Sequence, residues 1–303
     1  MITRNIQSVL LTGIFSLSLC FILSAGAQNS SVIADGAELS LVSDEYSFTE
    51  GPAVDSEGNV FFTDQPNNRI LKWSTDNSIS VYMEEAGRSN GLYFDHDGNL
   101  LACADEDNQL WQISPDKDVT VLIDDFKGQK LNGPNDLWVD AQGGIYFTDP
   151  YYQRDYWTRT EKEIENERVY YFTPGSKEII PVADDLVQPN GIIGTPDGTT
   201  LYVADIGDRK TWSYSINPDG SLTGKTLFTE KGSDGMTIDN QGNVYLTGNG
   251  VMVFNKEGEQ IEHIGVPENW TANVTFGGEN QDILFITASK SVYTLEMKVN
   301  GVR

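Results

Sequence analysis

One register recurs along this 303-residue chain and restricts its fold more than any other feature. At five places a polar residue stands eight positions before a turn glycine: Glu50 and Gly58, Asn90 and Gly98, Asn135 and Gly143, Asn190 and Gly198, Asp234 and Gly242. Each pair brackets a short apolar run, and a second apolar run follows the glycine, as in LNGPNDLWVDAQGGIYFTDP from Leu131 to Pro150. Two short runs around a glycine turn read as a β-hairpin, here with strands expected at Leu137–Val139 and Ile145–Phe147. A sixth copy, from Asn273, keeps the apolar frame but carries Gln281 at the glycine position.

Successive turn glycines lie 40, 45, 55 and 44 residues apart. A period near forty with strands and no helical pattern indicates propeller blades of about four strands each. Six copies predict an all-β, six-bladed β-propeller with antiparallel blades around a central channel. Trp73, Trp111, Tyr171 and Tyr214 fall on expected third strands and should pack between blades. Second-strand runs such as Leu201–Val203 carry no charge, as strands buried on both faces require. Residues Glu38–Thr49 read as a further strand that completes the last blade beside the C-terminal strands and closes the ring.

The amino terminus is of another kind. Residues 1–27 combine Arg4, an apolar run from about Val9 to Leu23 and Ala25-Gly26-Ala27, the pattern of a secretory signal with a small-residue cleavage site. Leu17-Ser18-Leu19-Cys20 resembles a lipoprotein box only distantly, because Leu19 is large for the residue before the cysteine. Export to a bacterial periplasm is expected, with 28–303 as one propeller domain and no membrane span in the mature chain. The mature chain then has Cys103 alone, so no internal disulfide forms, and a buried inert thiol is expected. The net charge of −25 argues against nucleic acid, which needs a basic surface to displace counterions.

First strands of a propeller begin around the central channel, so the six polar residues should converge there. Glu50 and Asp234 bring carboxylates and the asparagines bring amide oxygens. An all-oxygen set of mixed charge suits a hard cation, calcium before magnesium. Zinc or copper would call for His or Cys, which the register lacks. The plainer alternative is that these residues hydrate a channel or cap strand starts. Tyr151–Arg168, YYQRDYWTRTEKEIENER, is about ten residues longer than its counterparts. By topology it shares the face of the polar ring, as a lid or as a surface insertion. His96 and His263 fall outside the register and read as surface residues.

The EGP at Glu50, the LNGPND run ending at Asn135–Asp136, PNG at Asn190 and SDG at Asp234 together resemble the senescence-marker-protein/gluconolactonase family. The likeness runs over nearly the whole mature chain. It implies a divalent metal in the channel, usually calcium, with magnesium, zinc or manganese as alternatives, and hydrolysis of sugar lactones. Carried over residue by residue, Glu50, Asn190 and Asp234 would be metal ligands and Asn135 a ligand or substrate contact. Asp234 would be the general acid/base, with the metal polarising the lactone carbonyl. Some members have Arg two residues before the position of Asn135, where this chain has Gly133. Lys130, Arg88 or Arg154 would then have to supply that contact, with Asn90 and Tyr151 as further substrate contacts. A phosphotriesterase on the same metal site, a strictosidine-synthase-like propeller and a non-catalytic binding propeller are the competing readings.

Overall fold

The computed structural model describes residue 1, residues 32–176 and residues 178–302. Beyond its first residue, the expected leader lies outside the described residues, and so does Cys20.

Among the described residues the first strand is β1 (Ser40–Ser43), and the blades follow in order. Blade 1 is β2 (Thr49–Val54), β3 (Val60–Asp64), β4 (Arg69–Trp73) and β5 (Ile79–Glu84). Blade 2 is β6 (Ser89–Phe94), β7 (Leu100–Ala104), β8 (Gln109–Ile113) and β9 (Val119–Ile123). A small hairpin, β10 (Asp125–Phe126) and β11 (Gln129–Lys130), leads to blade 3: β12 (Leu137–Val139), β13 (Ile145–Asp149), β14 (Arg168–Phe172) and β15 (Ile180–Ala183). Blade 4 is β16 (Pro189–Gly194), β17 (Thr200–Asp205), β18 (Lys210–Ile216) and β19 (Leu222–Thr229). Blade 5 is β20 (Met236–Ile238), β21 (Val244–Gly248), β22 (Gly250–Phe254) and β23 (Gln260–Ile264). Blade 6 takes β24 (Thr271–Gly277), β25 (Ile283–Ala288) and β26 (Ser291–Glu296), and β1 supplies its fourth strand. The ring is therefore closed by residues from both ends of the sequence, β1 pairing antiparallel with β26. The closing strand is shorter than the expected Glu38–Thr49, because Thr49 already belongs to β2.

Burial follows strand position. The second strands β3, β7, β13 and β21 are buried along their whole length, whereas the outer strand β9 is exposed over its first three residues. Packing between blades uses the expected aromatics. Trp73 of blade 1 lies 5.5 Å, centroid to centroid, from Phe285 of blade 6. Tyr171 of blade 3 fills the space a side chain at Gly220 of blade 4 would need. Fully burying an aromatic such as Phe62 contributes roughly 2–3 kcal/mol. Cys103 is fully buried in β7, which pushes its thiol well above the ordinary range and leaves it inert.

The turn register has a backbone cause. All five turn glycines have positive φ, and Gln281 adopts φ +58° at the same place, accepting the cost that glycine avoids. These turns line one face of the disc. Strand alternation puts the polar positions, the loops after the second strands and the connections between blades on the opposite face.

Candidate active site

The six polar positions come together at the start of the first strands, but not simply ahead of them. Glu50, Asn90, Asn190 and Asn273 lie within β2, β6, β16 and β24, each at an irregularity of the pairing register. A bulge of this kind turns a side chain out of the alternating pattern, here towards the axis. Asn135 and Asp234 immediately precede the three-residue strands' entry segments. Glu50, Asn90, Asn135, Asn190 and Asn273 are buried, and Asp234 is half-buried.

Four of the six are followed by glycine, and the reason is the neighbouring blade. A Cβ at Gly51 would stand 2.0 Å from the Asn90 carbonyl oxygen, and one at Gly91 2.5 Å from that of Asn135. At Gly191 it would meet the Asp234 carbonyl oxygen at 2.7 Å, and at Gly235 the Asn273 side chain at 1.9 Å. The Gly91 N–H donates to the Asn135 carbonyl at 2.7 Å, so the contact is also a hydrogen bond. The glycines thus let adjacent first strands close on the axis and hold the ring of side chains tight.

In blade 3 the glycine position is Asp136, a third acid that the register alone did not single out as functional. Its Oδ1 accepts from the Leu137 N–H at 3.0 Å, and it is buried. Glu50 Oε2 accepts from Gly51 N–H at 2.7 Å and from the Asn273 amide at 3.3 Å. The Asn273 oxygen in turn accepts from Val274 N–H at 2.8 Å. Asn273 therefore orients Glu50 with its nitrogen while its oxygen is committed to the backbone. Asn190 donates to the Tyr152 hydroxyl at 3.0 Å. Asp234 Oδ2 accepts from the indole N–H of Trp270 at 2.5 Å. Trp270 was not among the expected site residues; in sequence it is one aromatic in a short connection, three positions before Asn273.

These acids repel one another. Burial, then the Asp234 and Asp136 carboxylates, push Glu50 well above the usual carboxylate range. Burial lifts Asp136 to about 8 and raises Asp234 as well. Among the described residues, none of the three is in an ion pair within 4.0 Å. Carboxylates crowded together with no ion-pair partner, beside asparagine amides, are oxygen donors of the kind a hard divalent cation takes. The residues present fit such an ion.

The remaining expected contacts lie on the rim. Arg88 donates to the Pro66 carbonyl at 2.7 Å, faces Glu106 at 3.6 Å and covers the Tyr156 ring at 4.6 Å. Arg154 pairs with Asp105 at 2.7 Å. Tyr151, half-buried, packs on Trp157 with centroids 5.9 Å apart. Lys130 is in β11 beside the inserted loop, its N–H bonded to Glu163. The inserted segment between β13 and β14 shares the face of the ring, as topology requires, and Tyr152 touches the ring directly. His96 is exposed in a turn of the opposite face, against the Asp140 carbonyl at 2.8 Å, and His263 is exposed on β23. Among the described residues no helix is long and apolar enough to cross a membrane.

Known proteins resemble this chain in both sequence and fold. A gluconolactonase of Zymomonas mobilis is 30% identical over 295 residues, covering 87% of this chain and 82% of that protein. The structure of a gluconolactonase from Xanthomonas campestris superposes with a TM-score of 0.81 at 28% identity, over 88% of this chain and 90% of the other. The calcium-binding regucalcin of Agrobacterium tumefaciens gives a TM-score of 0.73 at 18% identity, over 88% and 96%, a likeness of fold alone. The SMP-30/Gluconolactonase/LRE-like region is matched from residue 48 to residue 290, and the chain belongs to that family.

Proposed function

We propose that the protein is a calcium-dependent hydrolase that opens sugar lactones of the gluconolactone kind, acting outside the cytoplasm. One observation carries the reading: the buried carboxylates of Glu50 and Asp136 and the half-buried one of Asp234 share a ring with amide side chains, and among the described residues none of the three is in an ion pair within 4.0 Å. Kinship with gluconolactonases directs the choice of ester. Glu50, Asn190 and Asp234 would hold the ion, with Asn135 beside it. Bound there, calcium supplies Lewis-acid polarisation of the lactone carbonyl.

The chain's own residues do the rest. Asp234, raised by burial towards neutrality, takes a proton from the attacking water as the new C–O bond forms. It returns that proton to the ring oxygen as the acyl–oxygen bond breaks, so a hydroxy acid leaves and the carboxylate is restored. The Trp270 N–H fixes the Asp234 carboxylate during both transfers. Glu50 is held by Gly51 and Asn273 and stays a ligand rather than a base. Tyr152, Asn90 and the aromatic loop form the walls that a sugar ring would meet.

The test is a hydrolysis screen over aldonolactones, with a phosphotriester beside them, in calcium and after chelation. Calcium-dependent turnover of an aldonolactone and its loss on chelation are expected. Undiminished turnover in stripped protein would refute the ion's role, and a preference for the phosphotriester would refute the substrate class.

A further inference from the structure

Three of the six second strands end in an Asp, Asp64, Asp149 and Asp205, and a fourth, β7, is followed at once by Asp105. Three of them do the same thing. Asp64 accepts from the consecutive N–H groups of Ser47 and Phe48, at 3.0 and 3.3 Å. Asp149 accepts from Asn132 and Gly133, at 3.0 and 2.8 Å, and Asp205 from Val187 and Gln188, both at 2.9 Å. Each carboxylate pins the segment that leads into its own blade's first strand.

Asp105 departs from this pattern. The matching segment of blade 2 is Gly87–Arg88, and there the Arg88 N–H is taken by the Asn68 side chain at 2.6 Å instead. Asp105 Oδ2 accepts from Arg154 Nε at 2.7 Å, the Tyr156 hydroxyl at 2.6 Å and Gln65 Nε2 at 3.1 Å. Its backbone carbonyl accepts from the Trp157 indole N–H at 2.7 Å. The carboxylate is 2% exposed, so these bonds form away from water, where charged hydrogen bonds are strong. Its three loop partners, Arg154, Tyr156 and Trp157, all belong to the segment inserted in blade 3.

That anchor reaches the site in two steps. The Arg154 guanidinium lies over the Tyr152 ring, 5.5 Å from its centroid, and the Tyr152 hydroxyl accepts from Asn190 in the ring. A second foot of the loop is Arg159, which donates to the Leu131 carbonyl at 2.9 Å and stacks on Trp157. Arg154, half-buried, is thus engaged as a strut, where a substrate carboxylate would need it free.

We propose that Asp105 is a positioning residue, a latch that fixes the inserted loop of blade 3 over the channel mouth so that Tyr152 forms a wall of the substrate site. The effect on substrate rests on the lactonase reading; the latch itself does not. A repeat position that elsewhere braces the fold has been turned to holding the one long loop on this face.

The experiment compares parent, Asp105→Ala and the loop-side double variant Arg154→Met/Tyr156→Phe, full length with calcium. Limited trypsin digestion reads the loop without reference to catalysis. Nicking after Arg159 and Lys162 is expected to rise about tenfold or more in both variants, since local opening sets the rate of cleavage. On the best aldonolactone, KM should rise about tenfold with kcat changed less than threefold, and the calcium-induced thermal shift should stay as in the parent. Should Asp105→Ala fail to fold, the double variant alone decides. Parental nicking and KM in a folded variant would overturn the latch. Equal losses in kcat, KM and calcium response would overturn it too, by making Asp105 a general brace. If no lactone is turned over by any form, the proposed function fails while the digestion still decides the latch.

Discussion

The two mouths of the central channel are opposites. On the turn face a cavity of about 740 Å³ runs inward between Leu92, Tyr93, Ile192, Met236 and Val274, ending below Asp136 and Asn273. Its rim is acidic, but those acids are occupied by their own turns. Asp55 accepts from the Glu57 and Asn59 N–H groups, and Asp95 from those of Asp97 and Asn99, at 2.8 to 3.0 Å. On the loop face there is more conflict: the buried carboxylates of Glu50 and Asp136 and the half-buried one of Asp234 press on one another, amide groups stand beside them, and aromatic side chains stand over the mouth. Chemistry is to be expected where buried polar groups are arranged at a cost to stability, which favours the loop face over an apolar cavity.

The sharpest way to break this comparison is at Asp234. Asp234→Asn keeps an oxygen ligand and its bond from Trp270 but removes the base. Turnover of the best lactone should fall by about a thousandfold, within the usual range for a general base, while calcium binding weakens and persists. Stopped assays with calorimetry of calcium binding measure both quantities. Near-parental turnover would move the base function to Glu50 and make Asp234 a ligand only.

A smaller effect tests the conflict itself. Asp136 is held near 8 in the folded protein against an ordinary carboxylate value of 3.8, so the folded state binds the extra proton. A group raised in this way stabilises the fold fully below the lower value, and that stability is lost as pH rises through the higher one. Metal-free protein should therefore melt at progressively lower temperature from about pH 4 to pH 8. Added calcium competes with the proton, so the gain in melting temperature it confers should widen over the same window. A calcium gain that is flat with pH would mean that these carboxylates do not share the ion's site.

Much of this was legible before the structure, and the reasons are local. The eight-residue interval from polar residue to turn glycine is fixed by strand length and by a positive-φ turn, so it survives in sequence as a register. The β1 closure could be read because an orphan strand at one end matched a missing strand at the other. Asp136 escaped because its neighbour Asn135 occupied the register, and the clue was subtler: an acid where four other blades have glycine. Asp105 follows its second strand as three other aspartates end theirs, yet nothing in the sequence says that its loop partners Arg154 and Tyr156 lie 49 and 51 residues downstream instead of next door. Trp270 and the fate of Arg154 depend on contacts between blades, which no local pattern records. Arginine in an aromatic loop reads as a substrate contact until the buried carboxylate that holds it is seen.

The smallest effect is expected on the quiet face. His96 lies in the blade 2 turn, exposed at the wall of the cavity, with its ring nitrogen on the Asp140 carbonyl of blade 3. In His96→Ala that bond between turns is lost. The blade 3 turn keeps its own frame, because Asp140 Oδ1 still accepts from Gln142 and Gly144 N–H groups, each at 2.8 Å. The cost should be one ordinary hydrogen bond, about 1 kcal/mol, or roughly 2 °C in melting temperature for a domain of this size. The ring residues are reached only through β6 and β12, whose second-strand partners are fully buried and give little. Lactone kcat/KM should accordingly stay within about twofold of the parent. A tenfold fall with calcium binding intact would show that the apolar end of the channel is coupled to the reaction, and the division between the two mouths would no longer hold.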